Sequence, residues 1–353
     1  MRYPKFLPEG GTIGFIAPSF GCATEPYYSA FQNAQKVFAQ KGYGIVCGPN
    51  VYEESGVGIS ASPDACAREF MDAYESDASD ILISCGGGEL MCEILEHIDF
   101  NRIRRAKPKW FQGYSDNTNL IFLLNTLCDT AAIYGPNAPS FGMEPWHSSI
   151  TESFERLQGK NLQTSGFPLY ESESLKDEEH PLEPYHVTEP RIIRTFACGK
   201  DEDGLLNARE VQQAAFSGRL VGGCMDCLVN LTGTMFDEVQ AFSHKYQEDG
   251  LIWYLEACDL SVYGIRRAIW NMDHAGWFAH VKGFLIGRPL CHKQELFGLD
   301  QYLAVTEILK KYEVPIVMDL DIGHIPPQMP LISGAMADVA VSGQKLDIRM
   351  RLE

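Results

Sequence analysis

The sequence reads Lys109-Trp-Phe-Gln-Gly-Tyr-Ser-Asp-Asn-Thr118 and continues directly into a helical pattern over Asn119–Leu127. A short apolar run that turns tightly into a helix is the repeating unit of a parallel sheet with crossover helices. This unit recurs through the first half of the chain and indicates an open, doubly wound sheet, in which ligands bind beyond the carboxyl ends of the strands. The predicted strands are Thr12–Ala17, Gly44–Cys47, Ile81–Cys85, Trp110–Tyr114 and Ala132–Tyr134, and the predicted helices include Tyr28–Gln40 and Pro63–Asp77.

A second α/β region follows an acidic, proline-bearing stretch that starts near residue 165 and lacks clear periodicity. We therefore predict an N-terminal doubly wound domain over 1–164, a linker with a long acidic loop over 165–212, and a C-terminal α/β domain over 213–353. The elements predicted for the last domain are strand Ser217–Leu220, helix Met225–Thr232, strand Leu251–Leu255, helix Val262–Ala275, strand Val281–Ile286, helix Gln301–Lys311, strand Ile316–Met318 and a final strand pair near Asp338–Leu352.

Length, composition and charge restrict the class of protein. The chain has 353 residues, of which 45% are hydrophobic and 22% charged, as expected for about two globular domains. Its net charge of −18 repels phosphate backbones and anionic lipids, so we expect neither nucleic acid nor a membrane as partner. The opening residues do not resemble a signal peptide, no stretch approaches a membrane span, and the 11 cysteines are scattered in apolar segments. These features predict a cytoplasmic location and no disulfide framework.

The turn at Ser115 is the sharpest local feature. A serine on a tight turn between strand and helix has an exposed hydroxyl, and the amide of Asp116 points toward the same space. Asn117 stands where the G-x-S-x-G nucleophile motif has its second glycine. Because Ser, Asp and Asn also cap helices well, the spacing alone leaves a helix cap and a nucleophile as open alternatives.

A glycine run follows another predicted strand, in Ser84-Cys-Gly-Gly-Gly-Glu89. Consecutive glycines let backbone N–H groups approach a ligand and form an anion-binding concavity. The run matches neither the G-x-G-x-x-G pattern nor the P-loop with its lysine, so a nucleotide site is poorly supported. A tight turn without a ligand is the alternative.

A serine nucleophile requires a base, and one of nine histidines is well placed for that role. His324 lies on a loop between a predicted strand and a proline-rich segment, although an ordinary surface histidine is the open alternative. An imidazole base in turn requires a carboxylate. Glu256 ends an apolar run, where a buried acid normally has a specific partner; a solvated acid beyond the strand is the alternative.

Three other candidates have simpler interpretations. Asp259 is expected to cap the helix that begins near Ser261. Asp319 and Asp321 precede His324 so closely that we expect them to shape its turn. The pair Cys224 and Cys227 lacks a second pair of metal ligands, so we interpret it as helix packing.

In chain order, these motifs resemble the LD-carboxypeptidase family of serine peptidases, which includes self-immunity peptidases acting on microcin C. The matching segments are the opening strand Gly11-Thr-Ile-Gly-Phe-Ile-Ala-Pro-Ser19, the pair Gly86-Gly87, the turn Gly113-Tyr-Ser-Asp116, the acid in Leu255-Glu256, and Gly323-His324 with the following Pro327-Gln328. Together they span nearly the whole chain.

The resemblance implies a flavodoxin-like N-terminal domain that carries the nucleophile, a C-terminal domain that carries the acid and the histidine, and a homodimer. It implies that Ser115 attacks an amide carbonyl, that His324 transfers the proton, and that Glu256 orients His324. The implied oxyanion hole consists of backbone amides of Asp116 and of Gly87 or Gly88. No metal or organic cofactor is implied.

The substrate is less defined, because the chain departs from the family at two places. Gly222-Gly223-Cys224-Met225 replaces a Gly-Gly-Asn-Leu helix start, and Gly88-Glu89 stands where murein-cleaving members often have an aromatic residue. The expected substrate is either a murein LD-peptide or a peptidyl- or aminoacyl-nucleotide, and Glu89 and Arg267 are candidates for recognising it. A non-catalytic two-domain protein that binds a small molecule is the alternative function.

Overall fold

The computed structural model describes residues 1–353, and most of its strands form two sheets. The strands are β1 Thr12–Ile16, β2 Gly44–Cys47, β3 Ile81–Ser84, β4 Trp110–Gly113, β5 Ala132–Tyr134, β6 Gln163–Thr164, β7 Leu169–Glu171, β8 Val187–Pro190, β9 Arg194–Lys200, β10 Leu206–Val211, β11 Gln213–Cys224, β12 Leu251–Glu256, β13 Val281–Gly287, β14 Ile316–Leu320, β15 Leu331–Ser333, β16 Met336–Ser342 and β17 Lys345–Arg351.

The helices pack between and around these sheets. They are α1 Tyr27–Gln40, α2 Pro63–Glu75, α3 Phe100–Arg105, α4 Thr118–Thr126, α5 Ser148–Leu157, α6 Met225–Leu231, α7 Val239–Lys245, α8 Val262–His274 and α9 Gln301–Leu309. Short 3-10 helices lie at Met91–His97, Ser115–Asn117, Ala138–Gly142 and Lys310–Tyr312. None of the helices combines the length and the apolar character that crossing a membrane requires.

The N-terminal sheet confirms the predicted flavodoxin-like fold. Its order is β15-β5-β4-β3-β1-β2, and β1 to β5 are parallel in the doubly wound order 2-1-3-4-5. Helix α2 begins as predicted, because the Ser62 side chain accepts a hydrogen bond from the N–H of Ala65 and Pro63 occupies the first turn. The carboxyl ends of β3, β4 and β5 therefore meet at one edge of this sheet.

The C-terminal sheet confirms the predicted α/β class of the second half. Its order is β10-β9-β14-β13-β12-β11-β16-β17-β6, and β11 to β14 are parallel. Helices α6, α8 and α9 follow β11, β12 and β13, as the alternating pattern predicted. The carboxyl end of β12 carries Glu256.

The region 165–212 is more structured than the predicted linker with a long loop. Strands β7 and β8 form a small antiparallel sheet, and β9 and β10 extend the C-terminal sheet through the pairing of β9 with β14. Thr195 and Phe196 are buried in β9, whereas β10 is a half-exposed edge strand with a polar face. Polar edge strands lack the continuous apolar run by which a central strand is recognised in a sequence, and this explains why a loop was predicted where the structure has strands.

Two short strands cross between the halves of the chain. β6 from the first half pairs with β17, and β15 from the second half pairs with β5. One cluster of 89 buried apolar residues runs through both sheets, so the halves share a continuous core. The domain boundaries at 164 and 212 stay predictions. The crossing of β15 matters for function because it anchors the loop that carries His324 against the N-terminal sheet.

Candidate active site

Ser115 lies on a sharp turn at the carboxyl end of β4. Tyr114 is extended, with a φ of −150°, and Ser115 has a φ of 65° before the chain enters α4. A left-handed conformation is unfavourable for a residue other than glycine, and such strain is concentrated at functional sites. This turn has the strand-to-helix geometry of a nucleophile elbow, in which the hydroxyl projects away from the backbone.

Ser115, His324 and Glu256 form one hydrogen-bonded row, although they are far apart in the sequence. The distance from Ser115 Oγ to His324 Nε2 is 2.9 Å, and that from His324 Nδ1 to Glu256 Oε2 is 3.0 Å. The Glu256 side chain is fully buried, and that of His324 is 14% exposed. The row therefore leads from a buried carboxylate to a hydroxyl at a cavity wall, which is the arrangement that activates a serine.

Two further residues fix the carboxylate of Glu256. Tyr134, at the end of β5, donates its hydroxyl hydrogen to Glu256 Oε1 at 2.6 Å and accepts the N–H of Ser115 at 3.4 Å. Gly323 has a φ of 107°, and a Cβ there would lie 2.5 Å from Glu256 Oε2. Tyr134 was not among the residues predicted for the site, even though its place at a strand end beside Gly113 was a usable signal.

The charges of Glu256 and His324 stabilise each other. Burial opposes ionisation of Glu256, but the His324 charge and the hydrogen bonds from His324 and Tyr134 outweigh it and lower the pKa of Glu256. Burial also disfavours the imidazolium, but the adjacent carboxylate raises the pKa of His324 well above its ordinary value. A base of raised pKa retains a transferred proton more readily.

The glycine run after β3 lies against Ser115. The backbone N–H groups of Gly87 and Gly88 have no hydrogen-bond partner in the chain, and that of Asp116 lies in a first helical turn, where such groups lack an intrahelical acceptor. A Cβ at Gly87 would lie 2.9 Å from Ser115 Oγ. Two of the three predicted oxyanion donors, Asp116 and Gly87, are thus next to the serine, and Gly88 lines the same cavities as Ser115.

Side chains from the turn at Ser115 hold the glycine run in place. Asn117 Nδ2 donates to the carbonyl of Gly86 at 2.8 Å. Asp116 Oδ2 accepts from Ser19 Oγ at 2.5 Å and from the N–H of Met91 at 2.8 Å, and burial raises the pKa of Asp116. Asn117, which replaces a motif glycine, therefore joins the two loops instead of leaving space beside the serine.

The close contact at Gly87 leads to a prediction. We expect Gly87→Ala to lower kcat/KM about 100-fold, because the new methyl group displaces Ser115 Oγ from His324 by a fraction of an ångström or more. Gly199→Ala is the matched control, because Gly199 also has no positive φ and an added Cβ meets no atom within 4 Å. Kinetics of both variants check the prediction, and equal activity of Gly87→Ala and the wild type would contradict it.

Ser115 lies between two cavities. The larger, of about 360 Å³, extends past His324 to Tyr27, Ser140 and Lys176. The smaller, of about 130 Å³, extends toward Asp226. A third cavity, of about 780 Å³, lies elsewhere beside α3 and α7 and contains none of the predicted site residues. Because chemistry rather than volume identifies a site, the pair of cavities beside Ser115 is the candidate active site.

Comparison with known families agrees with this geometry. A model of the LD-carboxypeptidase N-terminal domain matches residues 13–135, and a model of the C-terminal domain of that family matches residues 217–339. The chain belongs to the LD-carboxypeptidase family. The two matches contain Ser115 in one part and Glu256 and His324 in the other, so the row joins the two halves of a serine-type peptidase.

The relatives of this LD-carboxypeptidase family member include a self-immunity protein. It is 25% identical over 350 residues to the microcin C7 self-immunity protein MccF of Escherichia coli, covering 97% of this chain and 94% of that protein. The wild-type MccF structure without ligand matches with a TM-score of 0.78 at 19% identity, covering 100% and 99% of the chains. An MccF-like protein from Streptococcus pneumoniae in complex with AMP matches with a TM-score of 0.77 at 20% identity, covering 97% and 98%.

Of the two residues predicted to recognise the substrate of this LD-carboxypeptidase family member, one lies at the candidate active site and the other does not. Glu89 lines both cavities beside Ser115. Arg267 does not line them, because it lies on the exposed side of α8 with its Nε donating to the carbonyl of Tyr263. We therefore propose no role in substrate recognition for Arg267.

Two aspartate predictions have different outcomes. Ser261, not Asp259, caps α8, because the Ser261 side chain accepts the N–H of Gly264. The prediction for Asp259 was therefore wrong. Asp321 forms ion pairs with Arg288 and Arg191 and accepts the N–H of Phe167, and Asp319 accepts hydrogen bonds from Gln301 and Tyr302. Both carboxylates therefore join the segment before His324 to neighbouring elements, and a role in shaping the turn itself stays a prediction.

Cys224, which was interpreted from the sequence as a helix-packing residue, lies beside the candidate active site. Its Sγ lies within 4.8 Å of the ligand atoms that Glu256 and His324 offer, and together these are donor types that zinc accepts. In the structure, Nδ1 of His324 and the carboxylate of Glu256 bond to each other instead. We therefore assign the imidazole and the carboxylate to the hydrogen-bonded row.

Proposed function

We propose that this protein is a serine carboxypeptidase that hydrolyses an amide near the C-terminus of a peptide or peptide-like conjugate. The observation that carries the proposal is the unbroken row from Ser115 Oγ through His324 to Glu256, with contacts of 2.9 and 3.0 Å. This geometry favours catalysis over mere binding, because a binding protein gains nothing from a strained serine in contact with a paired imidazole.

The reaction follows from the positions of the three side chains. Ser115 Oγ attacks the amide carbonyl while His324 Nε2 accepts the hydroxyl proton. The carboxylate of Glu256 accepts a hydrogen bond from the Nδ1–H group of His324, which keeps the correct tautomer and stabilises the imidazolium. His324 then donates its proton to the leaving amine, and water attacks the acyl-enzyme with His324 again as base.

The oxyanion forms between the serine and the glycine run. The backbone N–H groups of Asp116 and of Gly87 or Gly88 are proposed to donate to it. Each preorganised donor of this kind lowers the barrier by about 3 kcal/mol. The lack of intrachain acceptors for the half-buried Gly87 and Gly88 supports this role, because both N–H groups stay free to donate to a ligand in the cavity.

The larger cavity suggests which kind of group the substrate carries besides the peptide or aminoacyl part. Structures of MccF have been solved in complex with aspartyl sulfamoyl adenosine and glutamyl sulfamoyl guanosine. A cavity of about 360 Å³ has the size of a small-molecule site, so we propose an aminoacyl- or peptidyl-nucleotide as substrate, with a murein LD-peptide as the other candidate. The homodimer implied by the resemblance stays a prediction.

A serine-directed fluorophosphonate tests the proposal. We expect it to modify Ser115 and no other serine, because only this hydroxyl contacts an imidazole base aligned by a carboxylate. Peptide mass spectrometry locates the label, with Ser115→Ala as the negative control and the exposed, remote Ser217→Ala as the matched positive control. Absence of label from wild-type protein would favour a non-catalytic binding protein.

Product analysis by mass then identifies the substrate class. The wild-type protein is incubated with murein tetrapeptide and, separately, with aminoacyl-sulfamoyl adenosines. Cleavage of only one class decides between the two substrates. Cleavage of neither, together with missing label at Ser115, would reject the peptidase proposal.

A further inference from the structure

The small cavity beside Ser115 has an unusual lining. Four carboxylate side chains border its volume of about 130 Å³, and no lysine, arginine or histidine does. The acidic residues are Glu89, Asp116, Asp226 and Asp259. The cavity also opens at Ser115, so a group held there lies next to the carbonyl that the serine attacks.

The protein itself does not neutralise these carboxylates. None of the four takes part in an ion pair in the chain. Burial and the charges of Asp259, Asp116 and Asp226 raise the pKa of Glu89. Like charges facing one cavity are unfavourable without a ligand, and such arrangements are concentrated at functional sites.

Hydrogen bonds fix two of the four carboxylates of the acidic lining in position. Asp226 accepts the N–H of Cys258 at 3.0 Å and that of Asp259 at 2.9 Å, which joins the start of α6 to the loop after β12. The carboxylate of Asp116 is held by Ser19 and Met91. Glu89 and Asp259 are exposed and have no such restraint.

A second, independent feature points to a ligand with hydrogen-bond donors. Asn119 lines the same cavity and is 1% exposed. Its Nδ2 donates to the carbonyl and to the carboxylate of Asp116, which fixes the orientation of the amide. Its Oδ1 has no donor partner in the chain. Buried acceptors are normally satisfied, so a ligand with N–H groups is the missing partner.

We propose that this cavity binds a positively charged group on the acyl residue of the substrate, an ammonium or guanidinium, and thereby selects cationic over acidic acyl residues. This inference rests on the proposed function, because it assumes that the acyl group becomes attached to Ser115. Carboxylates supply the charge complement and Asn119 Oδ1 supplies a neutral acceptor for one N–H. The ligands in the MccF complexes carry acidic aminoacyl groups. The proposed preference for a cationic acyl residue is therefore opposite in charge to those ligands.

Three matched substrates test the preference: lysyl, norleucyl and glutamyl sulfamoyl adenosine. Norleucine has nearly the length of lysine without its charge. We expect kcat/KM for the lysyl compound to exceed that for the norleucyl compound about tenfold and that for the glutamyl compound by more, as a partly desolvated charge pair allows. Equal rates for the lysyl and norleucyl compounds would overturn the proposal.

Charge-neutral variants locate the effect. We expect the double variant Glu89→Gln, Asp259→Asn to lower the lysyl-to-norleucyl ratio about fivefold or more. Glu93→Gln is the matched control, because Glu93 is an exposed acid near the same loop that lines neither cavity. A ratio that is unchanged in the double variant, or that falls equally in Glu93→Gln, would overturn the proposal.

Binding separates failure of this inference from failure of the proposed function. Titration calorimetry with inactive Ser115→Ala protein should give tighter binding of the lysyl than of the glutamyl compound. If wild-type protein cleaves none of the compounds and takes no fluorophosphonate label, the peptidase proposal fails, and calorimetry still decides the charge preference. If cleavage and labelling occur without a preference for the lysyl compound, only the inference fails.

Discussion

We expect Ser115→Ala to lower kcat for amide hydrolysis by about 10⁴-fold or more. The hydroxyl lies 2.9 Å from Nε2 of the His324 imidazole, and no other serine is hydrogen-bonded to that ring. Without it, the donors of the glycine run can still polarise a carbonyl, but no acyl-enzyme forms. The measurement is turnover of the substrate identified by product mass, with the variant at high concentration.

The variant must keep its fold for this result to bear on mechanism. Loss of one hydroxyl from a partly exposed turn should change the free energy of unfolding by less than about 1 kcal/mol, hence the melting temperature by about 4 °C at most. Ser217→Ala should retain full activity. A Ser115→Ala protein that melts normally and keeps a tenth of wild-type turnover would contradict the assignment of the nucleophile.

The central strands were predictable because burial imposes a simple pattern on them. All four residues of β3, Ile81–Ser84, are buried, and the run therefore contains no solvent-facing position to interrupt it. The cap at Ser62 and the first-turn proline similarly marked the start of α2. Predicted and observed bounds of β1 to β5 differ by one residue at most.

The edge strands and the crossing strands were not predictable in the same way. β10 alternates half-exposed and exposed residues, and β15 has only three residues, Leu331–Ser333. Whether such a segment pairs as a strand depends on which strand lies next to it, and that neighbour is defined only once the sheets have assembled. A polar segment such as 206–211 therefore indicates a loop until its partner β9 is known.

Residue types suggested the site, but the assembled sheets determine its geometry. Ser115 and His324 are separated by 209 positions, and the crossing of β15 onto β5 anchors the histidine loop beside the N-terminal sheet. Tyr134 is a further example, because its hydroxyl reaches a carboxylate 122 positions away. The order of the motifs along the chain indicated the chemical roles of Ser115, Glu256 and His324. The contacts between the two sheets could not be predicted from local sequence patterns.

Glu256→Gln is expected to lower kcat about 10⁴-fold, for a reason specific to this site. Tyr134 donates to Oε1, so the carbonyl oxygen of a glutamine is directed to Tyr134 and its NH₂ group toward His324. That NH₂ donates to Nδ1, and the hydrogen of the imidazole then resides on Nε2. A protonated Nε2 cannot accept the proton of Ser115, so the base is held in the wrong tautomer.

The pH dependence of the same variant provides an independent measurement. Only neutral His324 accepts a proton, so wild-type kcat/KM should rise as pH increases through the pKa of His324, which the carboxylate raises well above its ordinary value. In Glu256→Gln this rise should move to lower pH, because the charge that raised the pKa is gone. Tyr134→Phe is the matched control: it removes the other hydrogen bond to Glu256 but keeps the charge, so the rise should stay near its wild-type position. A Glu256→Gln profile that coincides with wild type would show that another group, not the Glu256–His324 pair, controls the acidic limb.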